Sequence, residues 1–406
     1  MNDLPLDLLD EILFKIDPVS VASIGCTNRF FRSYISDPKF DSYRFPGVES
    51  SLFYISSFRD KYRNFVYCQS FVSSSVCMSP GNETDQVKKR CYILGCCSGL
   101  LLLYIDDLFV VNPFTKRFRL LDHSESKFLP EIVGPYHPDG RLNVRAARAM
   151  CVGFAVARYQ AKKRFKIVCI QEMQTMYRFE ISDDGDSWRL SKTTIMTTGS
   201  KSHLTIRMKP VYLDDTLHWL RNDGSIIAFN PETEEAKLIP SRFHRKPDMK
   251  FFFAVDEKIN RLTLISGTKE AISVYTLDRN LKWDLARRIK NVSMDEKELV
   301  CWQVVLYDGK RLVVREKKIE FIEGVVHVYD MGANSWGVLV ITNWWAESDL
   351  DYYKYTPSLY FVEDDQHNKE IVATNDLRIS YLIKIMRLID YNQVNDILLT
   401  YRLGRR

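Results

Sequence analysis

The sequence predicts an α+β chain of more than one unit, with a small three-helix unit at the N-terminus followed by an all-β, propeller-like repeat domain. Length is the first reason, because 406 residues exceed the size of one ordinary hydrophobic core. Helical periodicity over residues 4–40 is the second. The third is a strand pattern that recurs at intervals near 50 residues from Cys91 onward.

The first predicted helix lies within the stretch LPLDLLDEILFKIDP, from Leu4 to Pro18. Its apolar residues fan over an arc of roughly 160° on a helical projection, which is wider than the stripe that a surface helix buries. The helix therefore has either two internal neighbours, or one internal neighbour and a binding partner. Two further short helices are expected before residue 40, because Asp17-Pro18 and Asp37-Pro38 end helices.

The segment LPLDLLDEILFKIDPVSVASIGCTNRFFRSYISDPKF resembles an F-box, the module by which substrate receptors dock on the Skp-family adaptor of cullin-based ubiquitin ligases. The similarity is specific in LPLDLLDEIL and ISDPKF, and it departs at Asp17-Pro18 and at Phe30 and Phe31, where many members have Leu-Pro and a tryptophan. The alternative is an ordinary helical cap. The resemblance implies that part of the apolar arc contacts the adaptor, with the main contributions from Leu4, Pro5, Leu8, Leu9, Ile12 and Leu13.

The recurring unit is an alternating strand, a polar turn and a second strand, as in LFVVNPFTKRFRLL, SIIAFNPETEEAKLI and VHVYDMGANSWGVL. An inserted loop explains one long interval, and Asn, Asp and Ser suit such turns because their side chains bond to the adjacent backbone. About four strands in 50 residues is the size of a β-propeller blade. The aligned turn residues, separated by 70, 48, 48 and 52 residues, are Asn112, Ser182, Asn230, Asp278 and Asp330.

Five such units are clear, and the stretches SLYFV and EIVAT suggest a sixth that closes the ring. A two-sheet sandwich is the alternative fold, although a sandwich does not require this recurrence. The segments CCSGLLLLYIDDLFVVNPFTKRFRLL and PVYLDDTLHWLRNDGSIIAFNPETEEAKLIP resemble the F-box-associated, kelch-like domain of plant F-box proteins.

The expected organisation is an F-box at 1–42, a partly ordered linker at 43–90 and the β-propeller-like domain at 91–406. Within the linker, SLFYISSF and FVYC have strand patterns and could pack on the domain that follows. The C-terminal stretch RISYLIKIMRLIDYNQVNDILLTYRLGRR is apolar with basic ends, and is expected to form a final strand or a helix.

The sequence predicts no catalytic residue, cofactor site or metal site. GCCSG, residues 95–99, fits a cysteine form of the nucleophile elbow, but an elbow must lead from a strand into a helix and a β-hairpin follows here. Cys96, Cys97 and His218 are therefore expected to be packed strand residues. The turn carboxylates lack the spacing of a calcium loop, and the seven histidines show no clustering of the kind that zinc sites require.

Composition limits the partners and the compartment. Nine cysteines without a C-x-x-C pair indicate free thiols, so a cytoplasmic or nuclear location is expected. The longest apolar run, LLLLYI, is too short to cross a bilayer and the acidic N-terminus is unlike a signal peptide, so no membrane attachment is expected. The net charge of +5 is spread over scattered basic clusters, which argues against a nucleic-acid partner.

The leading functional hypothesis is a non-catalytic substrate receptor, which docks on the Skp-family adaptor, and through it on a cullin, and holds a target protein on the β domain for ubiquitination. Trp344 and Trp345 are candidate target contacts, because adjacent strand residues point to opposite faces and one of them is then exposed. Two alternatives stay open. One is a propeller-type hydrolase with carboxylates converging near the axis, and the other is an F-box protein that binds a small molecule or a glycan outside a ligase.

Overall fold

The computed structural model of the chain describes residues 5–16, 18–35, 40, 50–57, 64–70, 76–78, 91–133, 151–159, 162–185, 187–197, 202–205, 208–241, 243, 249–268, 271–290, 301–317, 324–342, 352–360, 362 and 377–388. Within these residues, three helices precede a β domain and two further helices pack on it. None of the helices in the described ranges is both long enough and apolar enough to cross a bilayer.

The three predicted N-terminal helices are present, and they are α1 (Leu6–Lys15), α2 (Pro18–Thr27) and α3 (Arg29–Ile35). α1 begins immediately after Pro5, whose restricted φ suits a helix start. Asp7 in its first turn and Lys15 in its last turn have the signs that the helix dipole favours. α3 is capped by Asn28, whose Oδ1 accepts the N–H of Phe31 at 2.9 Å.

The described strands form six four-stranded antiparallel sheets, named I to VI. Sheet I contains β1 (Ser51–Ser57), β2 (Asn64–Ser70), β3 (Val76–Met78) and β24 (Tyr352–Tyr355). Sheet II contains β4 (Cys91–Cys97), β5 (Leu100–Ile105), β6 (Leu108–Asn112) and β7 (Arg117–Leu121). Sheet III contains β8 (Val152–Tyr159), β9 (Lys162–Glu172), β10 (Met176–Asp183) and β11 (Ser187–Met196).

The remaining three sheets follow the same chain order. Sheet IV contains β12 (Val211–Leu213), β13 (Thr216–Leu220), β14 (Ile226–Phe229) and β15 (Ala236–Ile239). Sheet V contains β16 (Lys250–Asp256), β17 (Arg261–Gly267), β18 (Ala271–Leu277) and β19 (Trp283–Lys290). Sheet VI contains β20 (Cys301–Tyr307), β21 (Arg311–Lys317), β22 (Gly324–Asp330) and β23 (Ser335–Thr342).

The six sheets form a closed ring. The first strand of each sheet contacts the first strand of its neighbour, and in sheet I this position is taken by β24. The contacts between these strands run in the order β24, β4, β8, β12, β16, β20 and back to β24. The predicted propeller is therefore confirmed, and the two-sheet sandwich is excluded.

Sheet I joins the two ends of the ring. Its N-terminal strand β1 pairs with the late strand β24, in a register that places Ser51 opposite Tyr355. This pairing places a strand from late in the chain at the inner position of a sheet whose other three strands come from early in the chain. A ring closed by strands from both ends is also held by long-range hydrogen bonds, which a purely sequential arrangement would lack.

The closing sheet differs from the sequence-based expectation. The predicted linker at 43–90 contains β1, β2 and β3, so the ring of sheets starts at Ser51 rather than at Cys91. Among the described strands the last is Tyr352–Tyr355, and residues 358–360 of SLYFV are not part of a strand. EIVAT lies outside the described residues.

The sequence repeat corresponds to one turn that recurs after the third strand of the sheets. In sheet II, Asn112 Oδ1 accepts the N–H groups of the residues two and three positions later at 3.0 and 3.2 Å, and Lys116 has a left-handed φ of 59°. The same bond to a following turn N–H is made at three of the other four predicted positions, Asn230, Asp278 and Asp330. In sheet III the register places Asp183, one residue after the predicted Ser182, at the turn.

The inserted loop after sheet II begins with a short helix, α4 (Leu129–Val133), that is anchored on sheet III. The anchor is Glu180 of β10, which is 1% exposed. Its carboxylate accepts Ser126 Oγ–H and Lys127 N–H at 2.7 Å each, and Phe128 N–H at 3.0 Å. These donors compensate the burial of the carboxylate and fix the start of the insertion.

A C-terminal helix, α5 (Leu377–Arg387), lies along sheet II. At one end of β6, Arg378 pairs with Asp107, and at the other end Lys116 Nζ donates to the carbonyl of Met386 at 2.5 Å. The buried face of α5 belongs to one apolar cluster with α1, α3, sheet I and sheet II. The N-terminal helices are therefore fixed to the ring at the junction of sheets I and II.

Candidate functional site

Pro5, Leu8 and Ile12 line one exposed side of α1, and they are called the α1 patch. The three positions are spaced i, i+3 and i+7, which places them on one helical face. Leu8 is 50% exposed and Ile12 is 48% exposed. Large aliphatic side chains at this exposure lose contact with water only if another molecule covers them, so the patch can contribute to binding.

The opposite side of the apolar arc packs inside the protein. Leu9 and Leu13 are 8% and 1% exposed and lie in the cluster that includes α5. The prediction that these two residues contact an adaptor is therefore corrected, because their side chains are occupied by the chain's own core. Leu4, another predicted contact, lies outside the described residues.

A hydrogen bond joins α1 to α3, and an aromatic pair within α3 lies beside it. Tyr34 Oη–H donates to Asp10 Oδ1 at 2.7 Å, and the Tyr34 ring stacks on Phe30 with a centroid distance of 5.9 Å. Phe30 is 51% exposed, so an aromatic surface lies on the same helical unit as the α1 patch. The F-box resemblance places a tryptophan at Phe30 or Phe31, and exposed aromatic residues are common anchors at interfaces.

Near the axis of the ring, Lys354 of β24 joins three sheets. Its Nζ lies 2.5 Å from Glu257 Oε2 of the sheet V turn and 3.0 Å from Asp308 Oδ2 of the sheet VI turn. Asp308 is only 4% exposed, so the ammonium compensates a buried carboxylate. No feature of the sequence identified Lys354, because its partners are distant along the chain.

Sheets V and VI are also joined by Asp256 and Tyr307. Tyr307 Oη–H donates to Asp256 Oδ2 at 2.7 Å, and burial together with this carboxylate raises the pKa of the tyrosine. Gly309 has a φ of 83° and lies so close that a Cβ would stand 2.2 Å from Asp256 Oδ1. The position therefore requires glycine both for conformation and for space.

These carboxylates do not form a hydrolytic pair. Asp256 Oδ1 accepts two turn N–H groups, and Asp308 Oδ1 does the same, while each Oδ2 is bound by Tyr307 or Lys354. General acid–base catalysis requires a carboxyl group that can reach a substrate proton. With all four oxygens bonded inside the protein, the geometry at this point of the ring is structural.

The thiols of the predicted elbow stretch lie in a strand. Cys96 and Cys97 are in β4, and a turn at Ser98 and Gly99, with φ of 49° and 77°, leads directly into β5. Burial raises the pKa of both thiols, and Cys96 Sγ–H donates to the carbonyl of Lys354 at 3.0 Å. A thiol that stays protonated is a poor nucleophile.

The structure describes some of the remaining residues considered in the sequence analysis. Across the described ranges, no group of three His, Cys, Asp or Glu side chains could hold a metal ion. His218 is buried in β13, as predicted. The target contacts predicted at Trp344 and Trp345 lie outside the described residues.

Comparison with known protein families covers both units. Residues 1–43 match the F-box domain, and residues 66–318 match the F-box associated beta propeller domain. The chain belongs to the F-box proteins that carry an F-box-associated propeller. The wide apolar arc of α1 thus belongs to the F-box, and the six-sheet ring to the associated propeller.

Individual relatives support the assignment. This F-box protein is 59% identical over 402 residues to the F-box/kelch-repeat protein At1g20940 of Arabidopsis thaliana, covering 96% of each chain. It is 62% identical over 305 residues to the F-box protein At1g20360 of the same plant, covering 74% of this chain and 95% of the relative. Among solved structures, TolB from Acinetobacter baumannii has a TM-score of 0.40 at 8% identity, over 73% of this chain and 64% of TolB.

The combination of an F-box and a propeller supports a general role as a substrate adaptor of a ubiquitin ligase. The F-box implies binding to a Skp1-like adaptor in such a complex. The structure adds that only one side of α1 is available for this contact, because the other side is fixed to the propeller.

Proposed function

We propose that this F-box protein is the substrate-recognition subunit of a Skp–cullin–F-box ubiquitin ligase. In this proposal the α1 patch docks on the Skp-family adaptor, which links the protein to a cullin, and the propeller holds a target protein for ubiquitination. The observation that carries the proposal is that α1, which lies in the segment matching the F-box, has one exposed and one buried apolar side. Leu8 and Ile12 are half exposed, whereas their sequence neighbours Leu9 and Leu13 are buried.

The rigid connection of the two units supports the same role. The F-box shares an apolar cluster with α5 and with sheets I and II, so its orientation relative to the propeller is fixed. A receptor that presents a target to an enzyme elsewhere in the complex benefits from a fixed geometry. The chemistry is assigned to other subunits, since burial raises the pKa of the Cys96 and Cys97 thiols and the Asp256 and Asp308 carboxylates are bonded inside the protein.

The experiment is a pull-down of a Skp-family adaptor by the full chain and by the Leu8→Ala/Ile12→Ala variant. Full burial of an aliphatic side chain contributes about 1.5–3 kcal/mol, so two half-exposed side chains together account for at least a tenfold change in affinity. The matched control is Leu285→Ala, because Leu285 is 56% exposed on sheet V, far from the F-box. Equal adaptor binding by the wild type and the double variant would contradict the proposal.

Two further measurements separate the alternatives. Reconstitution with adaptor, cullin and ubiquitin enzymes distinguishes a ligase subunit from an F-box protein that acts outside a ligase, because the latter binds adaptor without ubiquitin transfer. The cytoplasmic or nuclear location belongs to the proposal, and microscopy of a tagged chain tests it.

A further inference from the structure

An open cleft of about 440 Å³ lies between sheets IV and V on the face that carries the recurring turns. Its lining comes from the end of β12 and from two turns of sheet V, at residues 259–262 and 277–279. Leu213, Leu262 and Leu277 belong to the apolar cluster between the two sheets, so the floor of the cleft is apolar. The volume is in the range that ligand clefts occupy.

The rim of the cleft is cationic. Lys258, Arg261 and Arg279 are exposed, and none of them has an ionic partner among the residues that the structure describes. Two carboxylates border the cleft: Asp278 Oδ1 accepts the N–H of Lys282 within its own turn at 2.6 Å, and Asp214 Oδ1 accepts Asn260 Nδ2–H between sheets IV and V at 2.9 Å. The three cations outnumber these two carboxylates, so positive charge prevails at the rim.

Two exposed aliphatic residues stand on the turns of sheet V beside these cations. Ile259, in the cleft lining, is 49% exposed, and Leu281, in the same turn as Arg279, is 40% exposed. Leu281 also has a left-handed φ of 60°. The left-handed residues of the corresponding turns are polar, namely Lys116, Glu234 and Asn334.

A leucine at this position costs conformational energy and gains little from burial. Left-handed backbone is unfavourable for bulky side chains, and asparagine or glycine adopts it at lower cost. Strained backbone conformations of this kind are concentrated at functional sites. Together with Ile259, Leu281 offers an apolar contact at the edge of a cationic cleft.

The position of the cleft in the ring leaves it accessible. In a ring of six sheets the junction of IV and V lies across the axis from the junction of I and II. The F-box is attached at the junction of I and II. A ligand in the cleft therefore does not compete with a protein bound to the α1 patch.

We propose that the cleft binds an extended acidic segment of a partner protein that inserts one apolar side chain between the two turns of sheet V. The inserted side chain contacts Leu213 and Leu277, with Ile259 and Leu281 beside it. Carboxylates of the segment pair with Arg261 and Arg279. The inference rests on the proposed function, because it names the class of segment by which a target is held.

The test uses the full chain with its adaptor bound and three fluorescent peptides of about twelve residues. One peptide has a central leucine flanked by glutamates, the second has glycine in place of leucine, and the third has lysines in place of the glutamates. Fluorescence anisotropy is expected to show at least about tenfold tighter binding of the first peptide than of the other two. The Arg261→Glu/Arg279→Glu variant is expected to lose this binding, whereas the control Arg288→Glu, an exposed arginine on the outer strand of sheet V, retains it.

A second variant separates binding from folding. Leu281→Asn is expected to raise the midpoint of thermal unfolding, because asparagine tolerates the left-handed turn. The same variant is expected to lower the affinity for the first peptide several-fold. Equal binding of all three peptides, or no binding, overturns the inference. Adaptor pull-down on the same samples distinguishes the two proposals. If the protein binds the adaptor but not the peptide, only the proposal of peptide binding in the cleft is overturned. If it does not bind the adaptor, the proposed ligase role is overturned.

Discussion

Leu8 and Leu9 are neighbours in the sequence, but half of the Leu8 side chain is exposed on α1 while Leu9 is 8% exposed in the cluster shared with the C-terminal helix. We expect the two residues to respond differently to truncation. Leu9→Ala should lower the free energy of unfolding by about 2–4 kcal/mol, because it leaves a cavity. Leu8→Ala should change it by less than about 0.5 kcal/mol and weaken adaptor binding instead. Chemical denaturation and pull-down measure the two effects, and a similar loss of stability in both variants would show that Leu8 is also a core residue.

Removal of the Lys354 ammonium should destabilise the ring at its closing sheet. Lys354→Met leaves the buried Asp308 carboxylate without its cation, which costs about 3 kcal/mol. Thermal unfolding measures the effect, and Lys282→Met, at an exposed turn lysine, serves as the control. The double variant Lys354→Met/Asp308→Asn should recover part of the stability, and a control variant that lost as much as Lys354→Met would contradict the assignment.

Loss of Glu180 should release the inserted loop. Glu180→Ala removes the acceptor for two backbone N–H groups and the Ser126 hydroxyl, and leaves them buried without a partner. We expect a destabilisation of about 3 kcal/mol and faster hydrogen exchange at residues 126–133. Glu131→Ala, at an exposed position of the same loop, is the matched control. Unchanged exchange in the Glu180 variant would show that the loop is held by its apolar contacts alone.

Mild acid should weaken the fold through His218. Burial in β13 lowers the pKa of this histidine from its ordinary value of 6.5 to about 4. As the pH falls, the histidine binds a proton in the unfolded chain before it does so in the folded protein. The contribution of His218 to the free energy of unfolding is therefore complete above about pH 6.5 and decreases toward pH 4. Between about pH 7.5 and pH 5 the loss is about 2 kcal/mol.

Chemical denaturation at the two pH values measures this loss. His218→Gln should flatten the pH dependence by about that amount, whereas His203→Gln, at a largely exposed histidine, should not. Equal pH dependence in the wild type and the His218 variant would indicate that another group is responsible.

Cys97→Ser should leave the fold and adaptor binding unchanged. The thiol lies in a hairpin strand, and burial raises its pKa, so it is not activated for nucleophilic attack. Thiol-directed probes at neutral pH should react with Cys97 no faster than with Cys151, another partly buried free cysteine. Stoichiometric labelling of Cys97 ahead of the others would reopen the enzyme hypothesis.

Features that depend on residues a few positions apart could be predicted from the amino-acid sequence. Proline fixed the start of α1 and the boundary between α1 and α2, and the apolar spacing made the arc of α1 too wide for one neighbour. Asn112, Asn230, Asp278 and Asp330 marked the recurring turn, because their side chains bond to backbone N–H groups within four residues. The hairpin after Cys97 likewise followed from local alternation.

Contacts between distant segments of the chain could be read from the folded structure alone. The ring closes because β1 pairs with β24, and no local pattern specified that Ser51 would lie opposite Tyr355. The buried side of α1 was likewise decided by residues from the other end of the chain, since α5 completes the cluster around Leu9. Periodicity shows which side chains need a packing partner, and local turns show where the chain reverses direction. The packing partner comes from a segment remote in the sequence, and its position depends on the whole fold.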